Sequence, residues 1–261
     1  MKRVVFFIAM IGVCIVAEAE VSPPNMSRVG PGPYRPLYPP TDKEKEIAVD
    51  AFFLDRRPVT NTEFLAFVRE NAKWRRDKIS GLFADERYLS HWTGSLDLGP
   101  GADAEQPVTF VSWFAAKAYC ESRGGRLPYE AEWELAAAAN ESSADAKDDP
   151  VWQRRILDWY SKPAGRPLGK VGRSVPNYWG VFDLHGLIWE WVYDYNAALV
   201  GGDNREQGGT EKLRFCGTGA LKASDKNKYA DFMRIAFRSS LEARYTVGHL
   251  GFRCARDLED K

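Results

Sequence analysis

The sequence has no excess of charge of either sign: 36 Lys and Arg face 36 Asp and Glu across 261 residues. A chain without net charge exerts no bulk attraction on nucleic acid or an anionic bilayer, so neither is expected as an electrostatic partner. Histidine is scarce, with only His91, His185 and His249, and no H-x-x-x-H or H-E-x-x-H spacing exists to hold zinc or iron on a helix face. No G-x-S-x-G elbow, P-loop or dinucleotide fingerprint occurs, which removes the commoner hydrolase, kinase and dehydrogenase readings. No Cys lies in a C-x-x-C pair, so a zinc ribbon or thioredoxin-like motif is unsupported. Long apolar runs are missing as well, apart from Val4 to Val16. That run is too short for the roughly 20 residues a membrane span needs. Lys2 and Arg3 precede it and Ala17-Glu18-Ala19 follows it, so residues 1–19 are expected to be a cleaved secretory signal. The mature product is then exported, periplasmic or secreted, with no membrane attachment.

What is abundant is aromatic and turn-forming: nine Trp, 11 Tyr and 14 Phe beside 22 Gly and 15 Pro. With 44% hydrophobic and 28% charged residues, this is a folded chain whose large rings fill gaps between sparse regular elements. Prolines cluster between Ser22 and Pro40, so residues 20–44 read as a linker or a strap over a domain spanning 45–261. Within that domain, Glu46 to Asp55 has strand character, and Thr60 with Glu63 forms a capping box for a helix from Asn61 to Asn71. Residues 72–104 should be irregular. Pro107 to Val111 reads as a short strand leading into Ser112, the N-cap of a second helix stopped by Gly124-Gly125. A third helix runs from Tyr129 to Ala139, and residues 140–150 form a charged loop. Ile235 to Ser240 and Gly251 to Ala255 alternate as short strands do.

Export leaves Cys120, Cys216 and Cys254 in an oxidising compartment, an odd number that permits three different intramolecular pairs. Cys216 sits in a Gly-rich stretch, either as an accessible thiol or as a small buried hydrophobe. Asp183 and Glu190 bracket a turn at Gly186. Two carboxylates with intervening carbonyls suit calcium, which takes 6–8 oxygen ligands. The plainer alternative has Asp183 capping the turn and Glu190 pairing with an Arg.

Seven ordered blocks give a more specific reading: Arg57-Pro-Val-Thr-Asn-Thr-Glu-Phe64, Pro107-Val-Thr-Phe-Val-Ser-Trp113, Ala118-Tyr-Cys120, Gly125-Arg-Leu-Pro-Tyr-Glu-Ala-Glu-Trp-Glu134, Gly180-Val-Phe-Asp-Leu-His-Gly-Leu-Ile-Trp-Glu-Trp191, Phe237-Arg-Ser-Ser240 and Leu250-Gly-Phe-Arg-Cys-Ala-Arg256. Together they resemble the formylglycine-generating enzyme (sulfatase-modifying factor) family. The resemblance implies an irregular, C-type-lectin-like α+β fold with little regular secondary structure. It implies a disulfide between Cys120 and Cys254, which leaves Cys216 unpaired. It also implies a calcium site using Asp183, Glu190 and the carbonyls of Gly186 and Ile188. Tyr129 stands where the family usually has a capping Thr.

Active members oxidise a substrate cysteine with copper held by two thiolates, and the corresponding positions here are Asp225 and Ala230. Neither offers a soft ligand, so copper is not expected at that site. Cys216 is the one remaining catalytic candidate. Other stretches, Phe215 to Ala220 and Tyr229 to Arg234 among them, look like NirV-type accessory proteins of copper nitrite reductase clusters. The expected function is an accessory or maturation factor for a periplasmic metalloenzyme such as copper nitrite reductase. The alternatives are a formylglycine-type oxidase working through a divergent site, and a lectin-like ligand-binding module.

Overall fold

A computed structural model describes residues 22–37, 45–162, 167–196 and 226–258. The chain enters through strands β1 (Met26–Val29) and β2 (Gly32–Tyr34), followed by β3 (Ile47–Val49) and β4 (Phe52–Asp55). The described part of the Pro-rich segment, residues 22–37, thus packs on the domain, β1 pairing with β4 and β2 with β3. Met26, Val29 and Tyr34 are buried, and Pro33 sits in a two-strand ribbon, an edge position that tolerates a missing N–H. The strand expected from Glu46 to Asp55 is divided in two at Asp50 and Ala51.

All four residues of β4 are buried. Strand side chains alternate between faces, and here Phe53 enters one apolar cluster while Phe52 and Leu54 enter another. A strand covered on both faces belongs in the middle of its sheet. Accordingly β4 lies between β1 and β7 (Ala255–Asp257), both antiparallel to it, with Met26 opposite Asp55 and Phe52 opposite Asp257.

Helix α1 (Asn61–Glu70) starts at the expected capping box: the Thr60 hydroxyl accepts from the Glu63 N–H at 3.2 Å, and Glu63 accepts from the Thr60 N–H at 2.8 Å. Helix α2 (Trp113–Ser122) is capped by Ser112. Helix α3 (Glu130–Ala137) keeps half a capping box, since Glu132 accepts from the Tyr129 N–H at 2.7 Å and the Tyr129 ring returns no bond. Pro107 to Val111 does not form a strand. It makes one bridge, Pro107 with Thr60, and Phe110 takes a left-handed φ of +53° that breaks the extended run.

Two further helices depart from the sequence expectation. Helix α4 (Pro150–Tyr160) follows the charged loop, with Asp149 accepting from the Val151 N–H at 2.8 Å and Pro150 opening the first turn. Ile235 to Ser239, expected as strand, forms the end of helix α5 (Lys226–Ser239). Arg234 and Arg238 are both buried, and their spacing of four places them on one helix face. Strands β5 (Trp189–Glu190) and β6 (Leu250–Gly251) form a short parallel pair. A disulfide joins Cys120 of α2 to Cys254 beside β7 across 134 residues of sequence. Among the described residues no helix is long and apolar enough to cross a membrane.

Candidate functional site

Two buried charge clusters meet at Trp133 of α3. In the first, Glu190 of β5 accepts from Arg253 Nε and Nη2, both at 2.7 Å, and from Trp133 Nε1 at 2.8 Å. Both ion-pair side chains are wholly buried. Arg253 also donates to the carbonyls of Asp55 at 3.1 Å and Phe182 at 2.9 Å, which ties the central strand to the turn carrying Asp183. Asp183 adopts φ +59°, and its carboxylate accepts from the backbone N–H groups of Gly172 and Ser174.

The calcium site expected at Asp183, Gly186, Ile188 and Glu190 falls on this arrangement. Calcium needs oxygen atoms directed at the ion, whereas Glu190 is held by a guanidinium and an indole and Asp183 by two N–H groups. The Glu190–Arg pairing weighed from sequence is the one the structure contains. Gly186 takes φ +106° in the turn, and Ile188 is a buried core residue.

In the second cluster, Glu134 accepts from Arg234 Nε and Nη2 and from Arg238 Nη1, all at 2.8 Å. Burial on its own would raise the Glu134 pKa, but the two guanidiniums outweigh it and hold the carboxyl well below the usual carboxylate range. Both guanidiniums lie over the Trp133 ring, at 5.8 and 4.9 Å from its centroid. Arg238 also reaches Glu130 at 3.3 Å, and Arg234 pairs with Asp231 and donates to the Tyr160 hydroxyl at 3.3 Å. Sequence reasoning missed this network. Its signal was the Arg234-x-x-x-Arg238 spacing together with the acidic first two turns of α3, Glu130, Glu132 and Glu134.

Beside the cluster lies an aromatic face. Trp189 stacks on Phe237 with centroids 4.4 Å apart and touches Trp159 at 5.5 Å and Tyr160 at 5.3 Å, while His249 continues the row 6.1 Å from Phe237. These five rings are half-buried. Behind them Ala230, one of the two positions singled out by the family resemblance, packs on Ala146, Trp152 and Ile156. Cys216 and Asp225 lie outside the described residues, as do the expected signal peptide and its cleavage site.

All three histidines are held below the ordinary imidazole value. Burial and the nearby Arg234 push the His185 pKa down to about 3, and the ring is wedged between Trp133 and Trp152 with Nε2 2.9 Å from the Ala137 carbonyl. His91 is lowered to about 4 by burial and Arg76, and burial together with Arg87 lowers His249. Both thiols among the described residues are joined in the disulfide. The described residues of this region present an aromatic face backed by fixed charge.

A mixed helix-and-sheet domain with short elements, a β4-centred core and a helix-to-final-strand disulfide defines a protein of the formylglycine-generating-enzyme type. The chain belongs to the sulfatase-modifying factor enzyme 1-like domain family, whose model matches residues 15–258. It is 26% identical over 82% of its length to the formylglycine-generating enzyme of Thermomonospora curvata, covering 84% of that protein. It is 32% identical to the inactive C-alpha-formylglycine-generating enzyme 2 of Mus musculus, over 57% of this chain and 59% of that one. The chain spans only 34% of the length of the serine/threonine-protein kinase pkn1 of Chlamydia pneumoniae, to which 82% of it is 27% identical. Among solved structures, CarF superposes with a TM-score of 0.51 at 16% identity, over 91% of this chain and 99% of that one, a likeness of fold.

Proposed function

We propose that this chain is an exported member of the family that does not generate formylglycine and instead acts as an accessory or maturation factor for a periplasmic metalloenzyme. The observation that carries the first half is Ala230, a methyl group packed beneath α4 where copper chemistry would require a thiolate. The likeness to a mouse protein named as inactive supports it. The aromatic face of Trp159, Trp189 and Phe237 supports the second half, because clustered half-buried aromatics supply large contact area at low entropic cost. The NirV-like stretches direct the partner toward a copper nitrite reductase.

The test compares nitrite reductase made in cells with and without this chain, measuring copper content and specific activity of the purified enzyme. The proposal expects both to fall without the chain and to be restored by the wild type but not by folded Trp189→Ala. Fully loaded, fully active reductase made without the chain refutes the accessory role.

A further inference from the structure

A cavity of about 200 Å³ shares no lining residue with the aromatic face. It is lined by the disulfide cysteines Cys120 and Cys254, by Pro24 and Asn25 of the entering segment, and by Arg123 and Arg256. Liquid water takes about 30 Å³ per molecule, so the space is several waters large. Its charge is unbalanced. Arg123 has one acidic partner, Asp55, at 3.4 Å, and the same Asp55 oxygen also accepts the Cys254 N–H at 2.9 Å. Glu63, the next carboxylate acting on Arg123, is held through two bonds by Arg57. The end of α2 adds no open acceptor from Cys120 or Glu121, whose carbonyls take the N–H groups of Arg123, Gly124 and Gly125.

Arg256 is the less satisfied of the two. One Nη2 bond goes to the Arg123 carbonyl at 2.5 Å, while Nε is buried with no acceptor. A buried guanidinium N–H lacking an acceptor is unfavourable, and the planar fork of Arg matches the oxygen pair of a carboxylate or phosphate.

We propose that this cavity binds a small oxyanion, a carboxylate or a phosphate, between the guanidinium groups of Arg123 and Arg256. The bound anion would lie against both the disulfide and the entering segment, so binding would fasten residues 23–26 to the end of α2.

The test is calorimetric titration of the signal-free chain with inorganic phosphate and, separately, with acetate, at constant ionic strength with chloride as control. Saturable binding at millimolar concentration or tighter is expected, and whichever anion binds more tightly names the source. Arg256→Gln should weaken it at least tenfold, whereas Arg35→Gln, a surface control paired with Asp145, should leave it unchanged. Should Arg256→Gln fail to fold, the wild type decides through the rate at which dithiothreitol reduces Cys120–Cys254. Saturating anion should slow that rate severalfold relative to chloride. Absence of binding by either anion, equal binding by folded Arg256→Gln, or an unchanged reduction rate overturns the proposal.

Discussion

Replacing Glu134 with Gln is the sharpest perturbation of the charge cluster. The change keeps the side-chain shape but leaves Arg234 and Arg238 without the carboxylate that receives three of their N–H groups at 2.8 Å. Only 3% of the Glu134 side chain is exposed, so solvent cannot replace it. Removing one partner of a buried ion pair costs about 3–5 kcal/mol. Glu130 at 3.3 Å from Arg238, and Asp231 beside Arg234, keep part of the neutralisation, which favours the lower end of that range. A loss of about 3 kcal/mol is a large share of the roughly 5–15 kcal/mol a domain possesses. At this chain length it should lower Tm by about 6–12 °C. Urea unfolding at pH 7 should show a reduced midpoint with an unchanged slope.

The pH dependence gives a second readout. Arg234 and Arg238 depress the folded-state pKa of Glu134 below its ordinary 4.5. The contribution is therefore complete above the unfolded value and is lost as pH falls below it toward the folded one. Wild type should lose stability more steeply than Glu134→Gln below pH of about 4.5. A loss under about 1 kcal/mol at pH 7, or parallel acid profiles, would refute the assignment of Glu134 as the counter-charge that holds α5 to α3.

Reducing the disulfide, or making the Cys120→Ser/Cys254→Ser pair, opens a loop of 134 residues and should cost up to about 5 kcal/mol in the chain-entropy picture, read from urea midpoints with and without reductant. Gly251→Ala would place a methyl 2.4 Å from the Val108 carbonyl oxygen and 2.7 Å from Ile188 Cδ1, and a destabilisation of about 1–3 kcal/mol is expected from melting curves. Because Arg253 and Trp133 occupy the Glu190 carboxylate, Tm should be the same in calcium and in chelator; a calcium-dependent rise of several degrees would show that Glu190 turns to a cation. Trp133→Phe removes the indole N–H to Glu190 while keeping a ring, and a loss of about 1–2 kcal/mol is expected, with near-wild-type stability counting against the shared-tryptophan arrangement.

Features that depend on neighbouring residues were legible in the sequence. Thr60 with Glu63 announced α1, and Ser112 with Gly124-Gly125 bounded α2, because caps act within one turn of their helix. The fold class and the Cys120–Cys254 bridge came from the resemblance, since three pairings fit the cysteine count equally. Helix α5 was not legible because its inward face carries Arg234 and Arg238, whose partner Glu134 lies 100 residues away; a buried guanidinium reads as surface when its acceptor is out of view. Helix α4 was missed although Asp149-Pro150 is a good opening pair, because Arg154, Arg155 and the charged loop before them obscured the stripe of Trp152 and Ile156. Strands β1 and β2 were hidden by proline. In an edge ribbon Pro33 gives up no bond, so the composition suggested a linker where strands exist.

The family's fold is present here, and the proposal that it works without copper-thiolate chemistry has a direct test. The purified chain lacking residues 1–19 is incubated with Cu(I), oxygen and a sulfatase-type cysteine peptide, and peptide mass and aldehyde-reactive labelling are followed beside an active formylglycine-generating enzyme. The account predicts an unmodified peptide and no thiolate-bound copper. An aldehyde that forms with wild type and disappears with Cys216→Ser would contradict it.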